Sequence, residues 1–321
     1  IPGSLVGSEM CIRDSNSDTE NNQEVAEDTT VTDGYSSTLV GEWLFNEATT
    51  GSSPLTVKDV TGNGNHLNIN YGDNQAEWIK VAEGAGLDYT SPQLNGGAVA
   101  SLSGLSSNGS LGETFANQTT SLSLLMKVQL NAGDNHGPRL IQLGTESGNG
   151  DFAVTARVND ITIRWDYDNG SEILYPLPAD YPTEAFVLAV TVDSTQDNAE
   201  ERLKVYYNGV LQSPKCCKTI PKNHAINFNQ DDRHLTFGNR LSQNRNINGR
   251  IYYASLHSGV VDPIEVESIS NQLLINNDNR PQSKPDELPS DMDMDGIYDS
   301  NDNCPLDANL DQLDTDIDGL G

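Results

Sequence analysis

Basic side chains are scarce in this chain of 321 residues. It has 18 lysines and arginines against 47 aspartates and glutamates, a formal charge of −29 at pH 7. A surplus of that sign repels phosphate backbones and anionic headgroups, so nucleic acid and membrane surfaces are poor partners. Long apolar runs are missing as well. The longest, Ala185 to Val192, has eight residues and includes Thr191, far below the roughly 20 needed to span a bilayer. The five histidines (His66, His136, His224, His234 and His257) and four cysteines form no HxH, HxxxH or CxxC pair, which argues against zinc. There is no GxSxG elbow, no P-loop and no GxGxxG, so the usual strings for acyl transfer and nucleotide binding are absent.

What is abundant is glycine, asparagine, serine, threonine and aspartate, a composition suited to many short strands and turns. From Thr38 to about Ile275 short alternating runs are divided by Gly/Asn/Asp turns, among them Leu39 to Phe45, Ser121 to Val128, Phe152 to Val158, Ile161 to Trp165, Phe186 to Val192, Leu203 to Tyr207 and Ile251 to Leu256. Asn208-Gly209 predicts a tight hairpin because both residues tolerate positive φ, and Asn159-Asp160 predicts a second. One late helix is expected, with Asp262 as cap, Pro263 in the first turn and Ile264, Ile269 and Leu273 following. A dozen or more strands with one helix predict an all-β antiparallel sandwich or jelly roll.

Both ends read differently. Residues 16 to 34 hold six acids and no base or aromatic. They cannot bury enough apolar area to offset chain entropy, so a disordered linker over 16–37 is expected. After Asn276 the chain is polar again, and Pro281, Pro285 and Pro289 mark an extended linker over 276–290. Residues 286 to 321 then carry twelve acids and no base.

Within that tail, Asp291-Met292-Asp293-Met294-Asp295-Gly296-Ile297-Tyr298-Asp299-Ser300-Asn301-Asp302 places oxygens at loop positions 1, 3, 5, 9 and 12 with glycine at 6, the calcium-loop spacing. Ile297 at position 7 would supply a backbone carbonyl. Two carboxylates about 4 Å apart repel by roughly 1 kcal/mol even in water. The loop should therefore stay open without a cation and close around Ca²⁺, so that binding and folding are one event. A second repeat begins at Asp314-Thr315-Asp316-Ile317-Asp318-Gly319. A merely solvated acidic tail is the plainer reading, and it leaves Gly296 and the repeat unexplained.

With Asp302-Asn303-Cys304-Pro305 and Asn309-Leu310-Asp311-Gln312 between them, residues 291–321 resemble the thrombospondin type 3 repeat family. The resemblance implies an extracellular, calcium-wrapped array of low secondary structure, with metal positions at Asp291, Asp293, Asp295, Asp299 and Asp302, then Asp314, Asp316 and Asp318. It also implies that Cys304 pairs with a cysteine of a neighbouring repeat. A dockerin shares the DxDxDG loop, but Cys304-Pro305 and Gln312 do not suit the helix that should follow it.

Residues 38–275 resemble the laminin-G-like (concanavalin A-like) jelly roll. The matching pieces are Gly41-Glu42-Trp43-Leu44-Phe45-Asn46-Glu47, Asp59-Val60-Thr61-Gly62-Asn63-Gly64-Asn65-His66, Leu203 to Gly209, Leu235 to Gly238 and Gly249 to Ala254. Asn46 stands where an acid is usual, and the last-strand motif is degraded. This resemblance implies a carbohydrate- or protein-binding module, with a structural Ca²⁺ in the Asp59 to Asn65 loop in some members. Asp59, Asn63 and Asn65 offer suitable oxygens, and such residues also simply make turns. Residues 5–15, Leu5 to Ser15, resemble one reading frame of a sequencing-library adapter. On that expectation the segment is not native, Cys11 leaves the cysteine count, and the true termini lie elsewhere.

Of the large aromatics, Trp43, Trp165 and Tyr206 are expected in the core. Trp78, Tyr167, Tyr207 and Tyr252 could serve either the core or a sugar-stacking surface. Cys216-Cys217 could be free thiols, a vicinal disulfide, or partners of distant cysteines. Jelly-roll glycan hydrolases need alternating carboxylates on one strand, and no such string lies between Thr38 and Ile275. A site assembled from separated residues would leave no string. The expectation is therefore a secreted or surface-attached adhesion or carbohydrate-binding protein, with a polysaccharide or a surface or matrix protein as ligand and a calcium-bound spacer. The alternative is a secreted polysaccharide-degrading hydrolase or lyase, or an accessory module of one.

Overall fold

The computed structural model describes residues 35–47, 53–73, 76–89, 95–116, 119–131, 137–148, 150–165, 172–178, 184–215 and 218–275. The two acidic linkers (apart from 35–37), both calcium repeats, Cys216-Cys217, Cys304, Tyr167 and the adapter-like segment lie outside them.

The all-β expectation holds: the described residues form an antiparallel sandwich of two eight-stranded sheets. The first sheet contains β1 (Ser37–Trp43), β4 (Glu77–Val81), β5 (Gly84–Asp88), β7 (Ser121–Leu130), β12 (Phe186–Asp193), β13 (Leu203–Tyr207), β14 (Val210–Leu211) and β16 (Gly249–Gly259). Its order is β14-β13-β12-β7-β16-β5-β4. One edge of the long β16 runs along β7, while the other is shared by β5 and β1. The second sheet contains β2 (Thr56–Val57), β3 (Leu67–Asn70), β6 (Val99–Ser103), β8 (Arg139–Gly144), β9 (Phe152–Ala156), β10 (Asp160–Trp165), β11 (Glu172–Pro176) and β15 (His234–Phe237), in the order β11-β10-β9-β8-β15-β6-β3-β2.

The inner faces meet in one apolar core. Leu124, Met126, Val128, Leu188 and Val190 come from the first sheet; Ile141, Leu143, Val154, Ile163, Leu235 and Phe237 come from the second. Each such side chain, fully buried, contributes about 1.5–3 kcal/mol. Trp43 and Trp165 are fully buried and Tyr206 nearly so, as expected. Trp78, Tyr207 and Tyr252, for which two roles were open, are buried too. The Trp43 ring packs 5.3 Å from Phe237 and lies where a Cβ on Gly41 would collide with it, 2.5 Å away, so the strand needs glycine there.

The Asn208-Gly209 hairpin forms, with φ of 52° and 81° and Tyr207 opposite Val210, the positive values that a type I′ turn requires. The β9–β10 hairpin is shifted by one residue from its predicted place. Arg157 N–H donates to the Asp160 carbonyl at 2.8 Å, so Val158-Asn159 makes the turn. Asp160 instead opens β10 opposite Pro176, because pairing with β11 fixes the register.

Among the described residues there are two α-helices, the single turn α1 (Leu111–Thr114) and α2 (Pro263–Ile275), and one 3-10 turn at Ala199–Glu201. Asp262 caps α2 as expected, its Oδ1 accepting from Ile264 N–H at 2.7 Å. Leu273 is buried as expected and Ile269 packs against the same cluster, whereas Ile264 is exposed and Val266, with Ser270, is covered instead. The spacing of four and three residues keeps Val266, Ser270 and Leu273 on one stripe. That stripe packs with Leu125, Val187, Ala189, Tyr206 and Tyr253, sealing part of the first sheet's outer face. Among the described residues no helix is long and apolar enough to cross a membrane.

Candidate functional site

The sequence-predicted loop after β2 does bring Asp59, Asn63 and Asn65 together. Asp59 is buried, and its Oδ1 accepts from Glu42 N–H at 3.2 Å, Thr61 N–H at 3.0 Å and Thr61 Oγ1 at 2.6 Å. Its Oδ2 accepts from Asn65 N–H at 2.9 Å. Asp59 N–H in turn donates to His66 Nδ1 at 3.0 Å. Asn63 and Asn65 both donate through Nδ2 to the Val40 carbonyl at 2.9 Å, while Asn65 Oδ1 accepts from Leu111 N–H at 3.0 Å. The Trp43 indole N–H donates to the Asn65 carbonyl at 2.8 Å. The loop thus fastens β1 to the start of α1 through the protein's own donors, with both Asp59 carboxylate oxygens and Asn65 Oδ1 accepting hydrogen bonds. Among the described residues, no group of three or more histidine, cysteine, aspartate or glutamate side chains is placed to hold a metal.

A different constellation, which the sequence reading missed, lies on the outer face of the second sheet. Residues paired across a ladder share a face. Ser101 pairs Thr236, Thr236 pairs Gln142, Gln142 pairs Ala153, Ala153 pairs Arg164, and Arg164 pairs Glu172. One polar row therefore crosses six strands, interrupted only by Ala153. A second row runs Arg139, Thr155, Thr162 and Leu174. Arg139 Nε donates to Gln142 Oε1 at 2.9 Å, which places both rows on the same face. Arg139, Gln142, Thr155, Thr162 and Thr236 are all at most 1% exposed, unusual burial for polar side chains on the face that points away from the core.

The segment after β15 completes this face. Asn239, fully buried, accepts through Oδ1 from Arg240 N–H at 2.9 Å and from Arg245 N–H at 2.7 Å. Its amide donates to the Gly97 carbonyl at 3.2 Å. One side chain thereby folds 239–245 into a loop, and Arg139 N–H docks on it by donating to the Arg245 carbonyl at 2.9 Å.

Five guanidiniums result, those of Arg139, Arg157, Arg164, Arg240 and Arg245. Glu172 bridges Arg157 and Arg164, at 2.5 Å and 3.1 Å. Burial, then the charges of Arg164, Arg240, Arg245 and Arg157, push Arg139 down to about 8. Burial, with Arg245 and Arg164, pushes Arg240 down to about 10. Both shifts come first from burial and second from neighbouring guanidiniums.

No protein-family profile matches the chain, and no curated protein matches it in sequence. Solved structures do match in shape. The binding domain of botulinum neurotoxin DC, in a complex with rat synaptotagmin II, superposes with a TM-score of 0.52 at 15% identity, over 73% of this chain and 51% of that one. A botulinum neurotoxin type C structure, described as dependent for cell entry on interaction with two ganglioside molecules, gives 0.50 at 14% identity over 73% and 51%. A sialidase of Trypanosoma rangeli gives 0.49 at 12% identity over 74% and 33%. This chain spans about half of the toxin chains and a third of the sialidase. At these identities the toxin domains establish the fold class, a jelly-roll-like β-sandwich, and nothing finer.

Proposed function

We propose that the sandwich is a carbohydrate-binding module acting outside the cell, and that residues 291–321 bind calcium and serve as a spacer. The observation that carries the first part is the contrast between the two outer faces. Helix α2 covers much of one with apolar side chains. The other carries hydroxyl, amide and guanidinium groups in two rows, buried at the centre and partly open toward Arg157 and Glu172. A sheet gains no stability from burying polar groups that lack partners, so such a face fits a ligand rich in hydroxyls. The ganglioside interaction described for a toxin of the same fold is an analogy that supports this reading.

The calcium part rests on donor chemistry. Asp291, Asp293, Asp295, the Ile297 carbonyl, Asp299 and Asp302 supply hard oxygen ligands at calcium-loop spacing, and Asp314, Asp316 and Asp318 repeat it. Bound Ca²⁺ would neutralise their mutual repulsion and stiffen the segment.

The test of the binding reading is retention of the full chain on a panel of immobilised polysaccharides. Reversible retention with no soluble product is the expected result. Time-dependent release of shortened chains would instead assign catalysis to the same face, and no retention on any member would reject the reading.

A further inference from the structure

The outer face of the second sheet is buried at its centre and open toward β2 and β3. In the row that holds Thr236 and Ser101, Ser101 is paired by Asn68 of β3 and Asn68 by Thr56 of β2. Thr236 and Ser101 are buried, whereas Asn68 is exposed and Thr56 half-buried. One row further on, Ser103 of β6 pairs His234 of β15. The β3–β6 register, carried two residues before Asn68, sets His66 opposite Ser103. Leu67, Ile69, Leu102 and Leu235 point into the core. The alternating residues His66, Asn68, Ser103 and His234 therefore stand on the outer face. His66 and Ser103 are exposed and His234 is half-buried.

The two imidazoles are held alike. Nδ1 of His66 accepts from Asp59 N–H at 3.0 Å, and Nδ1 of His234 accepts from Gly104 N–H at 3.3 Å. A ring nitrogen that accepts carries no proton, so each ring keeps its proton on Nε2. Burial, with Arg233, pushes the His234 pKa down against the pull of Glu146 and Asp232, which favours the neutral ring. A metal on Nε2 would need a proton on Nδ1, which these bonds forbid. Neither Nε2 enters a hydrogen bond among the described residues, and neither do the Asn68 amide and the Ser103 hydroxyl. Neighbouring strands lie about 4.8 Å apart, so the two rings' backbones are about 10 Å apart across Ser103, wide enough for more than one sugar ring. Beyond His234 the row ends in a wall. Its partner Gly144 has Gly150 Cα only 2.7 Å from where a Cβ would stand.

Resting on the carbohydrate-binding reading, we infer that this open row is the glycan seat and that it takes an uncharged polysaccharide, with Nε2–H of His66 and of His234 donating to sugar hydroxyl oxygens and Asn68 and Ser103 bonding the hydroxyls between them. Both rings are already pinned by backbone N–H groups, so little rotamer freedom is lost on binding. The local charge argues for an uncharged ligand. Asp231 and Asp232 precede His234 and Glu146 follows Gly144, all three exposed. The neighbouring Arg233 is already paired with Asp151 and Asp232. A carboxylate or sulfate seated here would meet like charge.

The experiment is affinity electrophoresis of the full chain in gels containing galactomannan, xylan or laminarin, against gels containing polygalacturonate or carrageenan. Retention by at least one uncharged glycan, at least tenfold tighter than by either anionic one, is expected. Two substitutions separate ligand binding from loop support. In His66→Asn, Oδ1 can still accept from Asp59 N–H but nothing reaches the place of Nε2. His66→Gln places an amide donor near that point and leaves Asp59 N–H without its acceptor. His66→Asn should weaken retention at least tenfold with an unchanged urea midpoint, while His66→Gln stays within threefold of the parent. Asn68→Ala, at an exposed position, should weaken it at least threefold. Lys222→Gln, at an exposed ion pair with Asp197, should leave it unchanged. Retention indifferent to both His66→Asn and Asn68→Ala would overturn the inference and leave the broader reading standing. So would loss in His66→Gln with His66→Asn intact, which would make His66 a support for its loop, and so would tighter retention by the anionic glycans. Failure to bind any glycan would remove both readings together.

Discussion

Arg139 N–H donates to the carbonyl oxygen of Arg245 across a separation of 2.9 Å. The bond joins β8 to a loop more than a hundred residues later in the chain, and it brings two guanidiniums toward one another that electrostatics alone would keep apart. Something must hold that arrangement, and the buried amide of Asn239 does so. It fixes the Arg240 and Arg245 backbone from one side and the Gly97 carbonyl from the other. The arginine face is thus a product of backbone hydrogen bonding imposed against charge repulsion.

Asn239→Ala leaves two buried N–H donors without their acceptor, at about 1–3 kcal/mol each. The expected result in urea unfolding is a loss of about 2–4 kcal/mol. Asn239→Asp keeps the acceptor and should recover part of the stability. A midpoint unchanged by Asn239→Ala would remove this residue from its organising role.

His257 on β16 is buried beside Ser255, with Nε2 3.3 Å from Oγ. Burial pushes its pKa down to about 4, against 6.5 in an unfolded chain. The folded state therefore holds His257 neutral while the unfolded state takes up a proton. Stability from this group is complete above pH 6.5 and falls as pH drops toward 4, by about 3 kcal/mol at roughly 1.4 kcal/mol per unit. Urea midpoints measured between pH 7 and 4 should show this limb, and His257→Gln should flatten it.

Calcium should act on the tail and not on the loop after β2. Calorimetric titration of the full chain should show saturable binding that Asp295→Ala weakens at least tenfold. Asp59→Ala should leave those heats unchanged. It should lower unfolding stability by about 2–4 kcal/mol, equally with and without a chelator, because the four hydrogen bonds it removes come from protein donors. Heats indifferent to Asp295 would reject the calcium-loop reading, and a chelator that mimics Asp59→Ala would place an ion at that loop.

Much of the fold was legible because its determinants are local. Phe186 to Val192 is a short apolar run buried on both faces and Leu203 to Tyr207 alternates, and each pattern specifies a strand. Asn208 and Gly209 supply positive φ themselves, and Asp262 caps the helix with its own carboxylate. The turn at Val158-Asn159 and the exposed Ile264 show where locality ends. In each case a neighbouring element, β11 or the outer face of the first sheet, chose the register.

The polar face of the second sheet lay beyond such reading. A trace of it is present in Thr162-Ile163-Arg164 and in Thr155 between Val154 and Ala156, which put polar groups on alternate positions of inner strands. Alternation gives the side of one strand but not its neighbours, since sheet order depends on contacts between residues distant in sequence. Only the packed core decided that Ser101, Thr236, Gln142, Arg164 and Glu172 stand in one row, and only the buried amide of Asn239 decided that Arg240 and Arg245 join them. The sequence by itself determined the sandwich class, the hairpin at Asn208-Gly209 and the spacing of the aspartates from Asp291 onward, because hydrogen bonding, turn geometry and charge repulsion act between near neighbours. The arginine face belongs to the tertiary structure, because burying two apolar sheet faces against each other fixes which opposite faces line up.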